Sequence, residues 1–142
     1  IGYFAANPSM PDHESLMAAV TLTNRTLGFV NAPALGQQIL LRCLDAGIDL
    51  EIYRRRRDAM AEVLTNAGFQ FTLPRGACYF FVKSPDADEQ KMVDALLDEQ
   101  ILVVPGRGFG RPGYIRIAFC VEDKVILNSR EGFARAAKKL GL

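Results

Sequence analysis

The spacing of apolar residues changes at Gly68 in this chain of 142 residues. Before Gly68 the apolar residues recur at helical intervals, which predicts a long helix over residues 50–67. After Gly68, short runs that alternate like strands are separated by segments with helical spacing. The chain is therefore predicted to be an α/β protein, in which three or four strands follow Gly68 and are covered by helices.

The individual elements follow from the same patterns and from the turn-forming residues at their ends. We predict helices over residues 12–26, 31–47, 50–67, 86–100 and 122–140. Strands are predicted over residues 69–73, 78–82, 101–104 and 114–120. The second helix has apolar residues around it, so we expect it to be well buried. The residues expected to form the buried face of the long helix are Tyr53, Met60, Val63, Leu64 and Ala67.

The charge balance excludes some classes of partner. Lys and Arg together number 17 against 16 Asp and Glu, whereas a dedicated nucleic-acid or anionic-membrane binder needs an excess of positive charge. No apolar run approaches the about 20 residues that cross a bilayer. We expect no metal site, because His13 is the only histidine. The cysteines, Cys43, Cys78 and Cys120, are widely spaced beside apolar residues, which predicts reduced thiols in the core.

Arg116 is the residue that most strongly suggests binding. It lies in a predicted strand in which Ile115 and Ile117 point to one face and Arg116 points to the other. A guanidinium in an apolar strand loses hydration, which is costly unless an anion pairs with it. Its planar fork suits a carboxylate. The spacing leaves two other interpretations open, in which Arg116 faces solvent or pairs with an internal acid.

The loop before this strand contains a formal GxGxxG pattern, from Gly108 to Gly113. In a dinucleotide site that pattern opens a helix, whose N-terminus meets the pyrophosphate. Here Pro112-Gly113 leads into a strand instead, so we predict a tight irregular loop that is ordered by a buried Phe109. The lysines, which are Lys83, Lys91, Lys124, Lys138 and Lys139, stand in no pocket-forming motif. None of them has the desolvated or cation-flanked setting of a Schiff-base lysine.

Five segments match patterns that recur together in one family. They are Ile1-Gly2-Tyr3; Asn31-Ala32-Pro33 followed by Gln37 or Gln38; Tyr53 with Arg56-Arg57-Asp58; Pro74-Arg75-Gly76-Ala77-Cys78-Tyr79-Phe80; and Pro105-Gly106 with Phe109-Gly110, Gly113 and Tyr114-Ile115-Arg116-Ile117-Ala118. In order and spacing they resemble the fold-type I pyridoxal-phosphate (PLP) dependent aminotransferases of class I/II, the aspartate-aminotransferase-like group. Cys78 departs from the family, which usually has Phe there. The resemblance covers essentially the whole chain.

The resemblance implies a reaction and a role for one residue. Arg116 matches the arginine that binds the substrate α-carboxylate in an enzyme that moves an amino group between an amino acid and a 2-oxo acid. The implied cofactor is pyridoxal 5'-phosphate, whose Schiff-base lysine and phosphate-binding arginine lie before Ile1 in the family. We therefore expect no catalytic and no cofactor-binding residue in this chain, and we expect the chain alone to be inactive. A cytoplasmic homodimer is also implied for the parent enzyme.

The resemblance suggests domain boundaries as well, with the chain as a C-terminal fragment of its parent. Residues 1–49 are expected to end the large PLP-binding domain, and residues 50–67 to form the domain-linking helix. Residues 68–142 are expected to form the small C-terminal α/β domain, with a short mixed sheet covered by helices. Two alternatives stay open. One is another fold-type I PLP enzyme, such as a C–S lyase or decarboxylase, and the other is a non-catalytic α/β interaction domain.

Overall fold

The computed structural model describes every residue from Ile1 to Leu142 and divides the chain into two units, Ile1–Ile48 and Asp49–Leu142. The first unit holds two helices, α1 at His13–Thr26 and α2 at Ala34–Cys43. No residue of either helix is buried, so the expectation of a well-buried second helix is wrong. The sequence reports how apolar a helix is, whereas burial depends on which layers pack around it.

The long helix α3, Leu50–Asn66, opens the second unit close to its predicted bounds. Asp49 caps its start, because the Asp49 carboxylate accepts a hydrogen bond from the Glu51 N–H at 2.9 Å. Gly68 follows its end with a φ of 84°, a left-handed conformation that glycine adopts without strain. The buried residues of α3 are Met60, Val63 and Leu64. Tyr53 is exposed, so the buried face is shorter than predicted.

Four short strands form one sheet in the second unit. They are β1 (Gln70–Phe71), β2 (Tyr79–Lys83), β3 (Val104–Pro105) and β4 (Tyr114–Ala118), in the order β1-β2-β4-β3. The predicted class, an α/β fold with a short sheet covered by helices, is confirmed. Every neighbouring pair is antiparallel, however, so the sheet lacks the mixed strand directions that we expected.

Four helices cover one face of this sheet. They are α3 together with α4 (Glu89–Leu97), α5 (Asp123–Asn128) and α6 (Arg130–Lys139). The sheet residues buried against them are Phe80, Val82, Ile115 and Ile117. The alternate residues along β2 and β4 point to the opposite face. We call this the outer face; it carries Tyr79, Phe81, Tyr114 and Arg116, all partly exposed.

The strand predicted over residues 101–104 is shorter in the structure and begins later. Only Val104–Pro105 pairs with β4. Gln100 has a φ of 61°, which turns the chain sharply after α4. The Ile101 N–H then donates to the Leu96 carbonyl oxygen at 2.9 Å, so it is not free to join the sheet.

The helix predicted over residues 122–140 is divided into α5 and α6. The division lies at Ser129, whose hydroxyl donates to the Ile126 carbonyl oxygen at 2.7 Å. Such a bond competes with the regular backbone ladder and favours, without requiring, a break at this position. None of the helices combines the length and apolar sequence that a membrane span requires.

Candidate substrate-carboxylate site

Arg116 lies in the middle of the outer face. It is the third residue of β4, between Ile115 and Ile117, which are buried in the core. Its neighbours across the sheet are Phe81 on β2 and Val104 on β3. The alternation predicted from sequence therefore holds, and two adjacent strands fix the backbone that carries this guanidinium.

Two aromatic rings flank the guanidinium of Arg116. Its Cζ atom lies 3.9 Å from the ring centroid of Phe109 and 4.3 Å from that of Tyr79. Both distances are within the range of about 6 Å in which a cation is attracted to an aromatic face. Phe81 meets Phe109 edge to face, with 6.3 Å between centroids. These contacts restrict the position of the guanidinium without neutralising its charge.

Arg116 has no acidic partner within the chain. No Asp or Glu oxygen lies within 4.0 Å of its nitrogens. Other arginines do pair, as Arg56 does with Asp123 at 2.9 Å. The interpretation that Arg116 pairs with an internal acid is therefore wrong. The guanidinium is half-buried, and no acidic side chain of this chain occupies it, so an anion from solvent can bind there.

A groove on the same side of the sheet carries further positive charge. It has a volume of about 710 Å³ and is lined by Arg75, Lys83, Arg111 and uncharged residues. The guanidinium of Arg111 lies 4.3 Å from the ring centroid of Tyr114. Hydrogen bonding to Arg111 lowers the pKa of Tyr114, and the charge of Lys83 adds to this effect. A face lined by cations and free of carboxylates attracts anionic ligands.

The glycine loop, residues 106–113, is held by an acid that the sequence analysis did not identify. Glu89, at the start of α4, accepts hydrogen bonds from Arg107 Nε at 2.7 Å and from the Gly113 N–H at 2.9 Å. The bond with Arg107 is the main reason that the pKa of Glu89 falls to about 2. Phe109 is 46% exposed, so the expectation that its burial orders the loop is wrong. Acidic residues are common in the first turn of a helix, so the sequence alone does not indicate that Glu89 holds the glycine loop.

None of the five lysines has the buried setting that favours covalent attachment of PLP. All five are exposed, whereas desolvation by burial is one of the settings that activate a Schiff-base lysine. The hydrogen bond to Asp86 instead raises the pKa of Lys91. Glu99 has the same effect on the pKa of Lys139. We therefore derive no step of a reaction through a cofactor bound to these residues.

The three cysteines are free thiols, and of these only Cys78 packs against the core. Cys43 and Cys120 are exposed, and Cys78 is half-buried. Burial raises the pKa of Cys78, so its thiol stays protonated and unreactive near neutral pH. The expected core placement is wrong for Cys43, which ends a helix without buried residues, and for Cys120, which follows β4 at an exposed position.

Comparison with known proteins assigns the chain to a family. The family model described as aminotransferase class I and II matches residues 1–130. An aspartate/prephenate aminotransferase of Thermus thermophilus is 38% identical over 87 residues, which are 60% of this chain and 23% of that protein. An LL-diaminopimelate aminotransferase of Dehalococcoides mccartyi is 36% identical over 90 residues, or 61% of this chain and 22% of that protein. The chain thus spans less than a quarter of either relative.

Solved structures agree with the sequence comparison. An aminotransferase from Eubacterium rectale superposes with a TM-score of 0.83 at 35% identity, covering 96% of this chain and 34% of that one. An aspartate aminotransferase from Thermotoga maritima gives a TM-score of 0.67 at 27% identity, covering 92% of this chain and 34% of that one. With the match over residues 1–130, these likenesses show that the chain belongs to the class I and II aminotransferases.

Proposed function

We propose that these residues are the C-terminal part of a PLP-dependent transaminase, which moves an amino group between an amino acid and a 2-oxo acid. Within it, Arg116 binds the α-carboxylate of the substrate. The observation that carries this proposal is the unpaired guanidinium of Arg116, held between Phe109 and Tyr79. Amino acids and 2-oxo acids share a carboxylate, and the planar fork of arginine matches that group with two parallel hydrogen bonds.

The surroundings of Arg116 suit an anion that arrives from solvent. The rings of Phe109 and Tyr79 shield the guanidinium from water, and a hydrogen bond to a charged group is stronger where water is excluded. The cations in the neighbouring groove attract an anionic substrate, and the groove has no acidic residue that would repel a carboxylate. The role of these residues is to bind and orient the carboxylate, so that the amino or oxo carbon is presented in one direction.

The same proposal divides the chain among the parts of a larger enzyme. Residues 1–49 belong to the large PLP-binding domain, residues 50–67 link the domains, and residues 68–142 form the small domain. By family resemblance, PLP, its Schiff-base lysine and its phosphate ligands are assigned to residues outside these 142, and the exposure of the five lysines present supports this assignment. By family resemblance, the parent is a homodimer in the cytoplasm.

Carboxylate binding can be measured directly by NMR. In ¹⁵N-labelled protein, titration with 2-oxoglutarate should shift the Nε–Hε signal of Arg116, which is identified by its absence from an Arg116→Lys variant. That variant should bind about 10-fold or more weakly, because it loses at least one charge-assisted hydrogen bond. Arg130→Lys is the matched control, since Arg130 pairs with Glu62 at the surface. The affinity of every variant is read from the backbone amide signals of β4, which all three proteins share. Equal affinity in all three proteins would refute the proposed role of Arg116.

The reaction type needs a separate assay with the full-length parent. A C–S lyase or a decarboxylase of the same fold type would also need to bind a carboxylate, so binding alone does not separate these enzymes. We expect incubation with an amino acid and a 2-oxo acid to yield the exchanged pair, without release of ammonia, sulfide or carbon dioxide. Release of one of those products in stoichiometric amount would assign the alternative reaction.

A further inference from the structure

We propose that Glu89 is a positioning residue for Arg116 and that it acts through the glycine loop, residues 106–113. The inference rests on the proposed function, in which Arg116 binds a carboxylate. It adds a residue that touches neither the substrate nor Arg116, but that sets the conformation in which Arg116 is held.

Glu89 grips the glycine loop near both of its ends. The residue is 1% exposed, although it carries a charge. One carboxylate oxygen, Oε1, accepts from Arg107 Nε at 2.7 Å and from the Arg107 backbone N–H at 3.3 Å. The other oxygen, Oε2, accepts from the Gly113 backbone N–H at 2.9 Å. The carboxylate therefore fixes the distance between the two points at which the loop leaves and rejoins the fold.

The loop between these two points carries the ring that contacts Arg116. It forms a single 3₁₀ turn over Gly106–Phe109 and then bends at Gly110, whose φ is 70°. The ring of Phe109 ends 3.9 Å from Arg116 Cζ. Phe109 is nearly half exposed and has no deep packing to hold it in place. Its position therefore depends on the conformation of the loop, and hence on Glu89.

The buried carboxylate of Glu89 is better explained by a role in fixing the conformation of the glycine loop than by a contribution to stability. A buried ion pair is often no more stabilising than apolar residues of the same volume. An apolar side chain in place of Glu89 would, however, leave the partly buried Gly113 N–H without this acceptor. A carboxylate binds Arg107 with one oxygen and Gly113 with the other. Because Arg116 has no ion pair of its own, the rings of Phe109 and Tyr79 decide how its fork is presented.

The test compares two carboxylates of similar burial by the NMR titration with 2-oxoglutarate. Glu89→Gln removes the charge that holds the loop. Glu99→Gln is the matched control, because the Glu99 side chain is 11% exposed and binds Arg135 at 2.7 Å, away from the loop. We expect Glu89→Gln to move the Nε–Hε signal of Arg116 in the ligand-free protein. We also expect it to weaken binding of 2-oxoglutarate about 10-fold, because a displaced Arg116 would lose one of its charge-assisted hydrogen bonds to the carboxylate. Glu99→Gln should change neither, even if it lowers the melting temperature.

The outcomes separate this inference from the proposed function. If neither this chain nor the full-length parent binds 2-oxoglutarate at Arg116, the proposed function is wrong, and the ligand-free Arg116 signal still decides the role of Glu89. An unchanged signal and unchanged affinity in Glu89→Gln would overturn the inference. Should Glu89→Gln not fold, Phe109→Ala removes the ring at an exposed position and should show the same changes with a normal melting temperature. A Phe109→Ala variant that behaves like the wild type would overturn the inference as well.

Discussion

Replacing Gly106 by alanine should destabilise the second unit by opening the glycine loop. The added Cβ atom would lie 2.4 Å from the Arg111 carbonyl oxygen and 2.6 Å from that of Tyr114. Carbon and oxygen atoms normally approach to about 3.3 Å, so the overlap is large. Both oxygens belong to the backbone and cannot rotate away. The loop has to move, and the hydrogen bond from the Arg111 N–H to the Gly106 oxygen, 3.0 Å long, would be lost.

The size of this effect follows from the two losses. Overpacking costs about 1–3 kcal/mol, and the lost hydrogen bond adds about 1 kcal/mol, so the free energy of unfolding should fall by about 2–4 kcal/mol. For a unit of this size, the melting temperature should fall by about 10 °C or more. Gly108→Ala is a control in the same loop, because no atom lies within 4 Å of its added Cβ. It should be neutral or stabilise the protein by up to about 1 kcal/mol.

Urea unfolding followed by circular dichroism measures both variants under the same conditions. The free energies of unfolding should differ by at least about 2 kcal/mol between Gly106→Ala and Gly108→Ala. If Gly106→Ala is as stable as Gly108→Ala, the backbone of the loop does not pack as described. The support that we assign to Phe109 and Arg116 would then be wrong too.

Three further predictions concern the core, the buried acid and the lysines. Phe133→Ala should lower the free energy of unfolding in urea by about 3–5 kcal/mol, because the ring is 1% exposed and packs edge to face on Phe69 at 6.0 Å between centroids. A loss below about 1 kcal/mol would contradict the burial of this ring in the core. Glu89 has a pKa lowered from 4.5 to about 2, so the stability difference between wild type and Glu89→Gln should be complete above pH 4.5 and disappear as the pH falls toward 2. Melts across that range with a constant difference would contradict the pairing with Arg107. Added PLP should give no absorption band that survives dialysis, and a retained band that maps to one lysine would show that a lysine of this chain does hold the cofactor.

Elements with strong local signals were predictable from the sequence. The apolar period of α3 and the glycine after it defined that helix to within a residue at its C-terminus. The two faces of β4 followed from alternation alone, including the position of Arg116 opposite Ile115 and Ile117. In both cases the determining residues are neighbours along the chain, and local spacing is what a periodic pattern reports.

Features that depend on distant residues were not predictable in this way. Glu89 meets its partners 18 and 24 residues further along the chain, and no local pattern joins positions so far apart. Whether an acidic residue lies beside Arg116 likewise depends on how distant segments fold together. The division of the last helix was missed for a different reason, since the apolar residues keep helical spacing on both sides of the turn at Ser129.

The replacement of Arg116 by lysine in the full-length parent tests the central claim most directly. Lysine keeps the charge but loses the fork, so one or two charge-assisted hydrogen bonds of about 1.5–3 kcal/mol each should be lost. This predicts a fall in kcat/KM of about 10- to 10⁴-fold, with PLP content and melting temperature close to those of the wild type. Arg130→Lys, at a surface ion pair, should change none of these quantities. If Arg116→Lys melts early yet keeps the kcat/KM of the wild type, Arg116 supports the fold and does not bind the substrate carboxylate.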